Sequence, residues 1–140
     1  MRVLIDTNII LDYILNREPY GEQARRVVKA CEESKLSGCI AAHTVSNMFY
    51  ILRKEYTVEE RRELLLAICE LFDIEGVDAN KIQNALKNDK FSDFEDCLQM
   101  ECAKTYHADY IITRNAADFA ASAIPCIEPG QMCILLENNV

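Results

Sequence analysis

In Val3-Leu4-Ile5-Asp6-Thr7-Asn8 a run of apolar residues meets a single charge and then changes period. Three consecutive branched aliphatic residues have the pattern of a short strand covered on both faces. Asp6 closes it. From residue 7 to residue 15 the apolar positions Ile9, Ile10, Tyr13 and Ile14 recur at helical spacing. The carboxylate of Asp6 is therefore expected at the C-terminal lip of a central strand, beside the N-terminus of a helix that Asp6 or Thr7 caps.

Working outward, the same alternation repeats. Residues 22–34 carry Ala24, Val27, Val28 and Cys31 on one helical face, after a turn marked by Pro19 and Gly21. Gly38-Cys39-Ile40-Ala41 reads as a second strand, followed by a helix over 43–54 with Val45, Met48, Phe49 and Leu52 as its buried stripe. Thr57-x-x-Glu60 is a capping-box signature ahead of Leu64, Leu65, Ile68, Leu71 and Phe72. A short strand is expected over 74–77, and a helix capped by Asp78 running to Leu86. Ser92-x-x-Glu95 is a second capping box, opening a helix to about Tyr106. Tyr110-Ile111-Ile112-Thr113 is the clearest late strand. A helical turn follows from Asn115 to Phe119, then an extended piece between Pro125 and Pro129, and a helical or frayed C-terminal segment. Strands that alternate with helices imply an α/β fold, a three-layer α/β/α sandwich around a mostly parallel sheet. Such sheets bind ligands beyond the C-terminal ends of their strands.

Composition sets the remaining bounds. The chain has 140 residues, half of them apolar, with 15 Lys+Arg against 23 Asp+Glu and a formal net charge of −8. A chain of that length buries roughly 70% of its unfolded surface, so residues 1–140 are expected to form one domain with a core of its own. No apolar run approaches the roughly 20 residues of a membrane span, and the first apolar stretch is too short for a secretory signal. A cytoplasmic protein is expected. The seven cysteines include no C-x-x-C pair, which fits reduced, buried thiols and excludes a zinc cluster with His43 or His107.

Three distant segments deliver carboxylates to the same edge of the expected sheet: Asp6 after the first strand, Asp93 and Asp96 at the start of the late helix, and Asp118 after the strand ending at Thr113. Each has a structural explanation taken singly. Asp6 and Asn115 are good helix caps, Asp93 complements a helix dipole, and Glu95 can reach back to the Ser92 amide. Asp96, inside a helix with Phe94, Cys97 and Leu98, is harder to explain that way. Gathered carboxylates repel one another unless a cation lies among them, and hard oxygen ligands point to Mg²⁺ or Mn²⁺. Such a site suits metal-assisted attack of water on a phosphodiester.

Val3-Leu4-Ile5-Asp6-Thr7-Asn8, Asp93-Phe94-Glu95-Asp96-Cys97-Leu98 and Ala108-Asp109-Tyr110-Ile111-Ile112-Thr113-Arg114-Asn115-x-x-Asp118-Phe119 resemble, in order and spacing, the PIN-domain nucleases, which include the VapC-like toxins of toxin–antitoxin pairs. The resemblance implies an α/β/α sandwich, commonly dimeric, that cleaves RNA with Mg²⁺ or Mn²⁺, and an antitoxin protein as partner. By motif position it implies catalytic roles for Asp6, Asp96, Asp118 and Asn47, and metal-binding roles for Asp6, Asp96 and Asp118, with Asp93 and Asn115 as further metal candidates. It also implies substrate contacts from Thr7, Asn8 and Arg114, the last at a strand end suited to phosphate. Asn47 stands where many members carry a glutamate, and Asn115 where many carry an aspartate. Each substitution leaves a neutral carbonyl that binds a cation less strongly than a carboxylate.

The negative net charge opposes a polyanionic substrate unless positive charge is local. Arg17, Arg25, Arg26 and Lys29 form one cluster, and Arg53 and Lys54 end the helix bearing Asn47. Tyr13, Tyr20 and Tyr50 are suited to base stacking or to the core. The alternative expectation is a PIN-like RNA- or protein-binding module that has lost strong metal affinity through its two asparagines. A phosphatase with an aspartyl-phosphate intermediate, of the haloacid-dehalogenase type, is excluded by Asn8, since that family has a second aspartate there.

Overall fold

The computed structural model describes residues 1–138. Strand β1 (Arg2–Ile5) leads into α1 (Thr7–Leu15) and α2 (Gly21–Glu32), then β2 (Ser37–Ala41), α3 (Ala42–Ile51) and α4 (Val58–Leu71). Next come β3 (Asp73–Glu75), α5 (Ala79–Lys87), α6 (Phe94–Thr105), β4 (Tyr110–Ile112), β5 (Cys126–Ile127) and α7 (Pro129–Asn138). Short 3-10 turns occupy Leu52–Lys54 and Ala116–Phe119. The five strands form one all-parallel sheet in the order β3-β2-β1-β4-β5, so the expected three-layer α/β/α sandwich is the fold. No helix among the described residues is long and apolar enough to cross a membrane.

Parallel pairing requires a crossover after every strand, and the sequence supplies one each time. The strand residues then alternate between two cores. Val3, Ile5, Ile40 and Ile112 join the side covered by α1, α2, α3, α4 and α7. Leu4, Cys39, Ala41 and Ile111 join the side covered by α5 and α6. Burial on both faces explains why β1 and β4 are continuous apolar runs rather than alternating ones. The seven cysteines are free thiols, four of them buried as small apolar side chains. Gly38 is required by close approach: a Cβ there would lie 2.9 Å from Cys31 Sγ and 3.0 Å from the Phe72 ring.

Several boundaries differ from the expectations. The helix expected over 43–54 is α-helical only to Ile51 and tightens to 3-10 over its last three residues, a common way to end a helix. The strand expected over 74–77 stops at Glu75, before Gly76, and pairs only with β2 at the sheet edge. The Thr57–Glu60 capping box is present in both directions, Thr57 Oγ1 accepting from the Glu60 amide at 3.2 Å and Glu60 Oε1 accepting from the Thr57 amide at 2.9 Å.

The topology fixes where a ligand belongs. From β1 the chain steps outward to β2 and β3, then returns to the other side of β1 as β4 and β5. The order therefore reverses between β1 and β4, and the crevice beyond their C-terminal ends is the preferred binding position of such sheets. Asp6 and Thr113 are the residues that emerge there.

Candidate active site

The register of β1 and β4 pairs Ile5 with Ile112, and the Asp6 amide continues the ladder by donating to Ile112 O at 3.0 Å. Asp6 is the N-cap residue of α1 by position, yet its side chain makes no cap hydrogen bond. Both carboxylate oxygens are used elsewhere: Gln99 Nε2 donates to Oδ1 at 3.0 Å and Thr113 Oγ1 donates to Oδ2 at 2.8 Å. The residue is only 4% exposed. Simple capping is thereby ruled out as its role. A carboxylate held at a strand end by two neutral donors has its orientation fixed.

The capping box expected at Ser92–Glu95 is corrected. The N-cap of α6 is Asp93, whose Oδ1 accepts from the Asp96 amide at 2.9 Å. Aspartate is as good a cap as serine, so one residue later the helix finds an equivalent start. The shift moves Asp96 into the first turn and releases Glu95, which reaches across to α3 and accepts from Asn47 Nδ2 at 3.1 Å. Asn47 thus brings a carboxylate of α6 to its own position.

A cleft of about 340 Å³ joins these groups, lined by Asp6, Thr7, Asn8, His43, Asn47, Asp93, Glu95, Asp96 and Gln99, with Tyr50 and Ile51 at one end. Burial pushes the Asp96 carboxyl up to about 7, and the negative charges of Asp93, Asp6, Asp118 and Glu95 push it the same way. The other aspartates expected from the sequence therefore all act electrostatically on Asp96. Asp118 lies exposed on the 3-10 turn after β4; Asn115 precedes that turn, its amide donating to Thr113 Oγ1 at 3.0 Å. Asn115 makes no side-chain cap bond. Thr7 shares a hydrogen bond with buried Thr44 at 3.0 Å between hydroxyl oxygens. His43 Nε2 faces Glu95 O at 3.2 Å, and burial lowers the pKa of its imidazole.

Arg114 has a different partner from the one expected. Its Nε and Nη2 lie 2.8 and 3.4 Å from the two oxygens of Asp12, and its guanidinium stacks 4.1 Å from the Tyr20 ring centre. Asp12 has no exposed surface and also faces Arg17 at 3.5 Å. A buried carboxylate needs such a partner, and Arg114 supplies it.

Sequence reasoning missed Gln99, Thr113, Glu95 and Asp12. Gln99 lies three residues after Asp96, a spacing that puts both on one face of a helix, and Thr113 continues the β4 register opposite Asp6. Those are the available signals. Neither residue type announces itself, because a glutamine in a helix and a threonine at a strand end are ordinary.

Among the described residues no three His, Cys, Asp or Glu side chains stand together as a preformed metal cage. The donor chemistry fits a hydrated hard cation instead. Mg²⁺ commonly binds through one or two carboxylates and keeps several waters, and here several carboxylates raise the proton affinity of one of their number. Gln99 Oε1 is buried and has no hydrogen-bond partner in the protein, as expected of a group that accepts from water at such a site.

The comparisons with known proteins agree with this geometry. No curated protein sequence matches the chain. In fold it is similar to a toxin–antitoxin complex from Klebsiella pneumoniae (TM-score 0.66, 22% identity, 91% of this chain and 97% of that one). It is also similar to VapBC2 from Rickettsia felis bound to a promoter DNA fragment (0.65, 16%, 91% and 98%). A third similar structure is VapC20 of Mycobacterium tuberculosis, a toxin that cleaves the sarcin–ricin loop (0.66, 14%, 87% and 95%). The PIN domain family matches residues 2–117 by sequence, and the chain belongs to that family.

Proposed function

We propose that the protein is a divalent-metal-dependent endoribonuclease that hydrolyses RNA phosphodiester bonds as the toxin of a toxin–antitoxin pair. The observation that carries this reading is Asp6, a buried carboxylate at the topological switch point whose side-chain partners among the described residues are both neutral donors. A structural aspartate would be neutralised or would cap its helix; Asp6 does neither.

Asp6 and Asp96, with Asp93 and Asp118, would hold Mg²⁺ or Mn²⁺, and Asn47 and Asn115 would orient its waters. The cation supplies Lewis acidity toward a phosphate oxygen and a lowered pKa for water. The chain's own contribution is positioning and charge. Gln99 and Thr113 lock the rotamer of Asp6, and Gln99 Oε1 accepts a hydrogen bond from water in the cleft. Burial and the neighbouring carboxylates raise the proton affinity of Asp96, which would hold the cation as a carboxylate. Thr7 and Asn8 offer polar contacts to the substrate. An antitoxin partner and a homodimer are part of the proposal; the first is supported by likeness in fold to toxin–antitoxin complexes, the second by the family resemblance alone.

The test is cleavage of a mixed single-stranded RNA by the purified protein in Mn²⁺, with EDTA and Asp6→Asn as paired controls. Cutting lost in both controls is expected. A second reading, a binding module with weak metal affinity, is favoured by Asn47, Asn115 and the lack of a preformed three-ligand group among the described residues. It requires a folded protein that binds RNA or a protein partner yet gives no heat with millimolar Mg²⁺ or Mn²⁺.

A further inference from the structure

The acidic cleft does not end at Asn47. At its far end Tyr50 and Ile51 also line a second groove, of about 440 Å³, that continues past Arg53, Lys54 and Glu55 to Leu15 and Arg17. Two grooves of the size that takes a ligand fragment thus share a wall made by the last turn of α3.

That wall is unusual for the molecule. Tyr50 is 63% exposed, more than Tyr20 at 41%, while the other four tyrosines are half-buried or buried. Arg53 folds back over it, its guanidinium 3.7 Å from the ring centre and Nη1 donating to Tyr50 O at 2.9 Å. The pair forms a flat platform of ring and guanidinium with an aromatic surface left open to solvent. Ile51 adds an exposed apolar edge beside it. Such surfaces stack nucleobases without regard to sequence.

The charges point the same way. In a chain of net charge −8, two of the cations near the site are committed to a buried carboxylate, Arg114 and Arg17 to Asp12. Arg53 and Lys54 have no carboxylate partner among the described residues. They stand at the end of the helix whose middle, at Asn47, faces the carboxylate cluster. A strand with phosphate at the acidic cleft and its next nucleotides over Tyr50 would set its following phosphates against Arg53 and Lys54.

We propose that the 3-10 end of α3, with Tyr50, Arg53 and Lys54, is the track along which a single-stranded RNA leaves the acidic cleft, Tyr50 stacking a base and the two cations contacting phosphates. This rests on the nuclease reading of the cleft, but it can fail or stand separately. The track demands single strands, since a base held in a duplex cannot lie on the Tyr50 ring. It also makes recognition depend on length: a dinucleotide reaches only the cleft, an octanucleotide reaches the track as well.

The experiment is fluorescence anisotropy of labelled single-stranded oligoribonucleotides with the full chain in Ca²⁺, for wild type, Tyr50→Ala, Arg53→Ala and Lys54→Ala. Lys29→Ala, beside the separate groove between α2 and α7, serves as control. We expect Tyr50→Ala to weaken octanucleotide binding about tenfold. Arg53→Ala and Lys54→Ala should each reduce the slope of log K on log salt by about 0.7. Octanucleotide affinity and salt slope unchanged in all three variants, no binding by the wild type, or losses that an acidic peptide reproduces but RNA does not, would each overturn the track. Length-dependent binding without cleavage in Mn²⁺ keeps the track and removes the nuclease. Cleavage indifferent to strand length and to these variants does the reverse.

Discussion

Asp6 and Asp12 stand six residues apart, both buried, one at the start of α1 and the other within it, and their surroundings are opposite. Asp12 is fully buried and faces two guanidinium groups, Arg114 at 2.8 Å and Arg17 at 3.5 Å. Asp6 is 4% exposed and faces an amide and a hydroxyl. The first pair is complete: its charge is balanced inside the protein, and it ties the segment after β4 to α1. The second is incomplete by one positive charge, and it opens onto a cleft lined by two further aspartates, Asp93 and Asp96, and by Glu95. Burial alone therefore does not distinguish the two carboxylates. The chemical identity of their partners does.

The contrast is broken most severely by neutralising each residue. Asp6→Asn should reduce RNA cleavage to the level of the EDTA control while leaving the melting temperature unchanged or higher, because it removes charge from a repelling cluster. Asp12→Asn should do the opposite. It leaves Arg114 without its buried counterion and should cost about 3 kcal/mol in a denaturant titration, with metal-dependent activity retained in whatever fraction stays folded. Equal effects on stability in the two variants would erase the distinction.

A subtler way to sharpen it is to remove the groups that orient Asp6. Gln99→Leu deletes one donor to a buried carboxylate, so Mn²⁺ affinity measured by calorimetry should fall by roughly 10–100-fold, the usual scale for a group that holds a ligand in place. Gln99→Glu, which adds a like charge beside Asp6, should be worse than Gln99→Leu at neutral pH. If both variants bind Mn²⁺ as the wild type does, Gln99 is a packing residue only.

Asp96 gives the contrast a pH dependence. Its carboxyl, pushed up to about 7 by burial and the neighbouring carboxylates, binds its proton more tightly in the folded than in the unfolded chain. Stability of the metal-free protein should therefore be greatest at pH values below about 4, with respect to this group, and decline as pH rises to about 7, where the loss levels off. Asp96→Asn should remove that decline and stabilise the metal-free protein at pH 8 by about 1–2 kcal/mol, less than the full linkage value because solvent screens a part-exposed group. Thermal melts from pH 4 to 8 check both statements, and a decline of the same size in Asp96→Asn would assign it to another group. The smallest expected effect is that of Thr113→Val, a loss of about 1 kcal/mol, measured by the same melts.

The pattern of apolar residues made the sheet legible. Val3-Leu4-Ile5 and Tyr110-Ile111-Ile112 could not be anything but buried strands, and their order with the intervening helical stripes leaves a parallel sheet as the consistent solution. The edge at which the carboxylates gather followed from topology before any side chain was placed. What stayed hidden depended on choices between near-equal partners. Ser92 and Asp93 are both good caps, and the one-residue difference decides whether Glu95 serves its own helix or reaches Asn47. Arg114 sits at a strand end where phosphate is expected, but Asp12, one polar residue in an apolar helix, claims it, and no local pattern says so. Gln99 becomes visible only when α6 is packed against β1.

The most direct measurement is a calorimetric titration of Mn²⁺ into the wild type and into Asp6→Asn, with circular dichroism confirming that both are folded. We expect saturable binding to the wild type and none to the variant. Equal heats in the two proteins would mean that Asp6 holds no cation, and that its unbalanced burial serves the fold alone.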